Sequence, residues 1–155
     1  MTATEQLITN FYTAFIRKDY VTMQQCYSEN AVFSDPVFMH LNSAEVKAMW
    51  DMFCVKGKDL HVDFSNVWAN EKTGSAEWVA TYTFSATGRK VSNQITSQFI
   101  FDNGKIIQQK DSFNFYKWAS QAFGVMGVLL SWTKYFKNKV RKQAMKNLAK
   151  YMSRK

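Results

Sequence analysis

From Leu60 onward the apolar residues of this chain stop recurring at helical spacing and begin to alternate. Leu60, Val62 and Phe64 alternate with His61 and Asp63, and Trp78, Ala80, Tyr82 and Phe84 with Glu77, Val79, Thr81 and Thr83. Ile95, Ser97, Phe99 and Phe101 alternate with Thr96, Gln98 and Ile100, and Gln109, Asp111, Phe113 and Phe115 form a last set. Side chains of period two point to opposite faces of a strand, so each run offers one apolar face to a core. Turn signals separate the runs at Asn70 to Gly74, Thr87-Gly88-Arg89 and Asp102-Asn103-Gly104, the last a strong hairpin signal. The result is an antiparallel meander with a face that something else must cover.

The cover precedes it. Thr2 and Glu5 have capping-box spacing, and Leu7, Ile8, Phe11, Tyr12 and Phe15 then recur at helical period up to Arg17-Lys18. Asp19 can cap a short second helix with Tyr20, Met23 and Tyr27 on its apolar side. Asn42 and Glu45 repeat the cap spacing ahead of Val46, Met49, Trp50 and Phe53, a third helix that stops before Gly57. Helices first and a meander afterwards make an α+β fold, and 155 residues suffice for one domain with a proper core.

Charge divides the chain further. Up to Tyr116 ten Lys/Arg face twelve Asp/Glu, whereas from Lys117 onward there are ten Lys/Arg and no acid, which together make the net +8. We therefore expect a nearly neutral body over residues 1–116 and a basic helical extension over 117–155. In the extension Ser120 to Trp132 is apolar, interrupted by Gly124 and Gly127, and Trp132, Phe136, Val140, Ala144, Leu148 and Met152 then recur every four residues between lysines. Such a helix can pack its stripe on its own body or a dimer mate, adsorb to an anionic membrane surface, or bind nucleic acid. The absence of any recognised motif argues against nucleic acid.

No charged start followed by an apolar run marks a signal or transit sequence. Cys26 and Cys54 lie in apolar helical patterns without metal-ligand spacing, as expected of buried reduced thiols in a cytoplasmic protein. Neither a metal nor a cofactor is expected, since two isolated histidines and scattered acids lack ligand spacing and no Gly-rich phosphate loop is present.

The candidate chemistry starts at Ala31-Val32-Phe33-Ser34-Asp35-Pro36-Val37-Phe38, a strand-type run that carries one carboxylate and ends at the only proline. Alternation puts Asp35 in line with Ala31 and Phe33, where burial would raise its pKa and make it a usable base. The same Asp-Pro pair is also a turn signal. His40, just beyond, reads as a surface residue, and His61 as solvent-facing.

Phe11-Tyr12, Tyr27 through Pro36, Gly88-Arg89-Lys90, Asp102 through Ile107 and Asp111-Ser112-Phe113 together resemble the ketosteroid isomerase, SnoaL-like and nuclear transport factor 2 superfamily. Trp118, Gln121-Ala122-Phe123-Gly124 and the basic tail resemble a ketosteroid-isomerase-like bacterial branch of it. The resemblance implies a cone-shaped barrel of cystatin-like type, closed by a curved antiparallel sheet and three N-terminal helices, and a homodimer formed through the outer sheet face. It places Asp35 where ketosteroid isomerases keep their proton-shuttling base. Their oxyanion hole, a tyrosine and a protonated aspartate, falls here on Phe11 and Ser97, so the standard steroid isomerisation lacks its donors.

In a cone of that kind Asp111 joins Asp35 as a catalytic candidate. Phe11, Phe33, Trp50, Trp78, Tyr82, Ser97, Phe99, Gln109 and Phe113 are the candidate substrate-binding residues. Two carboxylates among aromatics suit an isomerase, lyase or hydrolase acting by acid–base chemistry on a small hydrophobic molecule. The same cavity would also suit a non-catalytic ligand- or lipid-binding protein at a membrane surface, and the sheet face would suit a protein-interaction module.

Overall fold

The computed structural model describes residues 1–154, so Lys155, the last residue of the expected extension, lies outside the described residues. Helix α1 (Ala3–Ile16) opens on the expected capping box. Thr2 Oγ1 accepts from the Glu5 amide and Glu5 Oε1 from the Thr2 amide, at 3.2 and 3.1 Å. Asp19 caps α2 (Tyr20–Gln25), and a second box of Asn42 and Glu45 starts α3 (Ser43–Lys56). Lys18 closes this helical layer, because its ammonium donates to the carbonyls of Gly57 and Lys58 at 2.6 and 2.8 Å and ties the end of α1 to the end of α3. Tyr27, expected on the side of α2, instead begins strand β1 (Tyr27–Ser34).

Four more strands follow: β2 (His61–Ala69), β3 (Thr73–Phe84), β4 (Arg89–Asp102) and β5 (Lys105–Ser112). They form one five-stranded sheet in the order β1-β5-β4-β3-β2. The meander is antiparallel throughout, but β1 pairs with β5 in parallel, so the sheet is mixed rather than wholly antiparallel. A parallel neighbour needs a crossover rather than a hairpin, and α3 with the first three meander strands supplies it. On β4 the alternation is complete: Val91, Asn93, Ile95, Ser97, Phe99 and Phe101 are buried and their neighbours exposed. The outer face of the same strand is polar, with Ser92, Gln94, Thr96 and Gln98 in solvent.

Three helices complete the chain: α4 (Phe115–Phe123), α5 (Val125–Leu130) and α6 (Lys134–Ser153). The boundary expected between residues 116 and 117 falls inside the first turn of α4. Gly124, with φ of 65°, breaks the apolar stretch between α4 and α5 in a backbone region that side chains disfavour. Gly127 then lets α5 fold back on α4, since a Cβ there would stand 2.0 Å from the Ala119 carbonyl oxygen.

Helix α6 lays its stripe on its own body. Phe136, Val140, Ala144 and Met152 pack against the core and Leu148 is fully buried, while the Tyr151 hydroxyl donates to Asp51 Oδ1 on α3 at 2.7 Å. Trp132, read as the first member of that stripe, is not part of it: it stands outside, 77 % exposed. Among the described residues no helix is long and apolar enough to cross a membrane. Cys26 and Cys54 are free, buried thiols, both pushed up to about 11 by burial.

Candidate functional site

Sheet register sets the positions of the two candidate acids. Ser97 on β4 stands directly across from Asp111 on β5, and Phe99 across from Gln109. On the other side of β5 the parallel register pairs Phe33 with Gln109 and Ser34 with Lys110. Carried one residue further, that register brings Asp35 level with Asp111 on the neighbouring strand, where strands run about 5 Å apart. The two carboxylates therefore share one end of the cone.

Asp35 is both a turn residue and a partly buried carboxylate. Its Oδ1 accepts from the amides of Val37 and Phe38 at 2.7 and 2.6 Å, and its own amide donates to the Phe38 carbonyl at 2.7 Å, so it is the organising residue of the Asp-Pro turn. It is also half-buried, and burial raises its pKa to about 6 against the lowering effect of those two amides and of Arg141 on α6. The Arg141 guanidinium donates from Nε to the Pro36 carbonyl at 2.9 Å, which clamps α6 onto the turn. His40 is exposed, and its amide donates to Ser34 Oγ. His61 is exposed as well, beside Asp63.

Asp111 is buried among polar donors. Its Oδ1 accepts from Ser97 Oγ at 2.6 Å and from Gln109 Nε2 at 3.0 Å. Burial first, and the charge on Asp35 as a smaller cause, raise its pKa to about 7 despite these two bonds. That repulsion falls on Asp111 because it is the second of the pair to ionise.

Behind Asp111 the donors are themselves held. Ser97 Oγ accepts from the Tyr12 hydroxyl at 2.7 Å and from Trp78 Nε1 at 2.9 Å. Gln109 Oε1 accepts from the Tyr27 hydroxyl, which accepts in turn from Trp50 Nε1 at 2.7 Å. Each group in this chain donates to the next, and a buried network linked in this way is rigid.

The candidate substrate-binding residues divide by exposure. Phe11, Phe33, Trp50, Ser97, Phe99 and Gln109 are sealed into the packed interior, where Phe11 meets Trp50 edge to face at 5.6 Å between ring centres. They form the wall behind the site rather than its surface. Trp78 and Asp111 are buried as well, whereas Tyr82, Phe113 and Asp35 are half-buried. Oδ2 of Asp35 and Oδ2 of Asp111 accept no hydrogen bond among the described residues, yet neither is sealed off. The Tyr82 hydroxyl accepts from Trp118 Nε1 at 2.8 Å and feels the charge on Asp35, leaving its own proton for another acceptor. Two free carboxylate oxygens and a phenolic O–H thus remain beside an aromatic wall.

Helices α4 to α6 cover this end of the cone, with Phe136 packed edge to face on Phe115 and Phe123. Two shallow grooves of about 320 and 570 Å³ on the outside of α2 and α3, one reaching α6 and the other β1, contain neither Asp35 nor Asp111.

Sequence reasoning named Tyr12 only as a member of an apolar stripe and assigned the tyrosine position to Phe11. The structure puts the Tyr12 hydroxyl into the cone and on Ser97, one residue along. Tyr27 and Arg141 were missed as site neighbours too. Tyr27 sat on the wrong side of a helix–strand boundary, and Arg141 is more than a hundred residues away in sequence from the turn it clamps.

Breaking the network at its hub has a definite expected result. Ser97→Ala leaves the Tyr12 hydroxyl and Trp78 Nε1 without an acceptor, and each stranded buried donor costs about 1–3 kcal/mol. A urea unfolding series should show a loss of about 2–4 kcal/mol, and Tyr12→Phe added to Ser97→Ala should recover part of it because one orphan donor is removed. Strict additivity of the two changes would argue against the network.

The model of the SnoaL-like domain family matches residues 8–109, a span that contains Asp35 and ends two residues before Asp111. The chain belongs to the SnoaL-like domain family. Among solved structures this SnoaL-like chain is similar to AclR from Streptomyces galilaeus, at 19 % identity over 82 % of this chain and 96 % of that one, with a TM-score of 0.63. It is similar also to an NTF2-like protein of unknown function from Burkholderia pseudomallei, at 13 % identity over 79 % and 98 % of the two chains and a TM-score of 0.67. A third is an LEH-like epoxide hydrolase of M. tuberculosis, at 13 % identity, 84 % and 97 % coverage and a TM-score of 0.62. Likenesses at this identity establish the NTF2-like cone. No curated protein matches the sequence.

Proposed function

We propose that this SnoaL-like protein is an acid–base enzyme acting on a small hydrophobic molecule, with Asp35 as the base and Asp111 as the acid. One observation carries the reading: two carboxylates whose pKa values are raised to about 6 and about 7 share one end of the cone, each with Oδ1 tied down and Oδ2 free. Near neutral pH the pair holds one proton. Asp35 ionises first and presents a basic Oδ2, while the proton stays on Asp111, at Oδ2 because Oδ1 already accepts from Ser97 and Gln109. That is the division of labour that general acid–base catalysis requires.

The reaction type that fits best is the opening of an epoxide, or an equivalent addition of water. Asp35 takes a proton from water as its oxygen bonds to carbon, and the C–O bond breaks as Asp111 delivers its proton to the leaving oxygen. A charge-separated oxyanion never has to persist, so the absence of ketosteroid-type donors at Phe11 and Ser97 is no obstacle. Tyr82 is placed to hold the substrate oxygen or the water. The likeness to an epoxide hydrolase of the same cone supports this choice. Expected turnover is bell-shaped in pH with its maximum between about 6 and about 7, where Asp35 is ionised and Asp111 protonated.

The test is diol formation, read by mass spectrometry, from a panel of hydrophobic epoxides with the wild-type chain, Asp35→Asn and Asp111→Asn. Diol formed by the wild type and lost in both variants supports the reading; equal rates in all three sink it. A second reading, a ligand carrier without turnover, is favoured by the sealed aromatic interior and the helical cover. It would show as binding of the same molecules with no product and no dependence on either aspartate.

A further inference from the structure

We propose that the chain docks on an anionic lipid bilayer through α5 and the first turns of α6. The observations are independent of the acid pair. Exposed large apolar side chains occur singly elsewhere, as at Trp68, but they are concentrated in one short segment: Val125 is 72 % exposed, Leu129 60 %, Trp132 77 % and Tyr135 76 %. Gly127 causes this, because it lets α5 lie against α4 through its own backbone and leaves the side chains around it facing water. Trp132 Nε1 donates to the Leu129 carbonyl at 2.8 Å, so the indole has its polar edge satisfied and only its apolar faces remain to be covered.

Charge selects the occupant. On α6, Phe136, Val140, Ala144 and Leu148 face the body, and the opposite stripe runs Tyr135, Lys139, Lys142 and Lys146 at helical spacing. Lys139 lies over the Tyr135 ring at 6.0 Å, which joins the aromatic end of the stripe to its basic end. No acidic residue occurs from Lys117 to the end of the chain. Apolar and aromatic side chains at one end of a lysine row match the layering of an anionic bilayer, with acyl chains below and phosphate and carboxylate headgroups at the surface. A second copy in a two-fold contact would set these lysines against one another, since the same patch meets itself. A nucleic acid would leave Val125 and Leu129 facing phosphate.

Read from the sequence, adsorption involves the basic helix as a whole, its apolar stripe with four-residue spacing included. That stripe is occupied by the body, so removing α6 would unpack Leu148 and Phe136 and is not the right test.

The experiment is co-sedimentation of the full chain with phosphatidylcholine vesicles containing about one-third phosphatidylserine, against vesicles of phosphatidylcholine alone. Binding to the anionic vesicles only, weakened at least tenfold by raising the salt to about 0.5 M, is expected of a contact that leans on exposed lysines. Leu129→Ser with Trp132→Ser should weaken binding roughly tenfold or more, as should Lys139→Glu with Lys142→Glu, both without moving the unfolding midpoint because all four side chains are exposed. Brominated acyl chains should quench fluorescence in the wild type and in Trp68→Phe but lose the Trp132 contribution in Trp132→Phe. Failure to sediment with anionic vesicles overturns the proposal, as does binding that none of these variants changes. A concentration-dependent dimer that Leu129→Ser/Trp132→Ser dissolves, in a chain that ignores vesicles, overturns it in favour of self-association. Sedimentation with a nucleic acid but not with vesicles overturns it in favour of that partner.

Discussion

Replacing Asp35 by Asn is expected to lower turnover by about two to four orders of magnitude, the range typical of a lost general base. Asn keeps the side-chain oxygen that accepts from the Val37 and Phe38 amides, so the turn closes as before. What it removes is the basic lone pair on the free oxygen and the charge that raises Asp111. Two readouts distinguish this from damage to the fold. Affinity for an unreactive analogue should stay within about threefold, since the wall formed by Trp78, Tyr82 and Phe113 is untouched and binding and chemistry are separable in mutant kinetics. The upper limb of the pH profile should also move down, because Asp111 no longer faces a charge. An Asp35→Asn variant that loses affinity and turnover together would instead make Asp35 a structural residue of the turn.

How much of this was legible before the structure depended on whether a signal was local. Strands β2 to β5 were legible because each has one buried face, and burial on one face forces period two. The helices were legible from their caps, where Thr2 with Glu5 and Asn42 with Glu45 each satisfy two orphan amides within one turn. The inward positions of Ser97, Phe99, Gln109 and Asp111 followed from the same alternation. The parallel pairing of β1 with β5 did not, since it joins segments some seventy residues apart and neither strand's own pattern records its neighbour's direction.

The Phe11 and Tyr12 exchange shows a second limit. Adjacent residues on a helix are about 100° apart, both belonged to one broad apolar stripe, and periodicity does not say which of them reaches the cone. Depth is set by the facing strand, where Ser97 gives Tyr12 its acceptor. For α6 the four-residue stripe was read correctly in direction but one position too early. Trp132 precedes the Thr133 cap and therefore lies outside the helix whose face it was assigned to.

Stability should fall as pH rises from about 4 to about 7, and Asp111 should be the main cause. Its carboxyl has an ordinary value of 3.8 and a folded value of about 7. Below pH 4 it is protonated in both states and contributes its full effect. Between the two values the native state keeps the proton and the unfolded chain has lost it, so every rise in pH favours unfolding. Above about 7 both states are ionised and the loss is complete. At roughly 1.4 kcal/mol for each pH unit of difference the loss amounts to about 4 kcal/mol, a large part of the stability of a small domain. Asp35, raised to about 6, acts in the same direction over a narrower window. Asp59, lowered to about 2, and the lowered Glu5 and Asp19 act in the opposite direction, but all three are at the surface, where water and salt screen them.

Asp111→Asn should therefore flatten the curve. Asn can accept from Ser97 and Gln109 through its oxygen and carries no charge at any pH, so the variant should overtake the wild type above about pH 7. Urea unfolding midpoints measured from pH 4 to 8 on both proteins provide the check, and two parallel curves would show that the energy of this carboxylate lies elsewhere. The same desolvation that weakens the fold near neutral pH holds a proton on Asp111 there, and that proton is the one the proposed chemistry needs. A variant that gains stability above pH 7 by losing this carboxyl should lose turnover with it, a trade expected where a destabilised group is the working one.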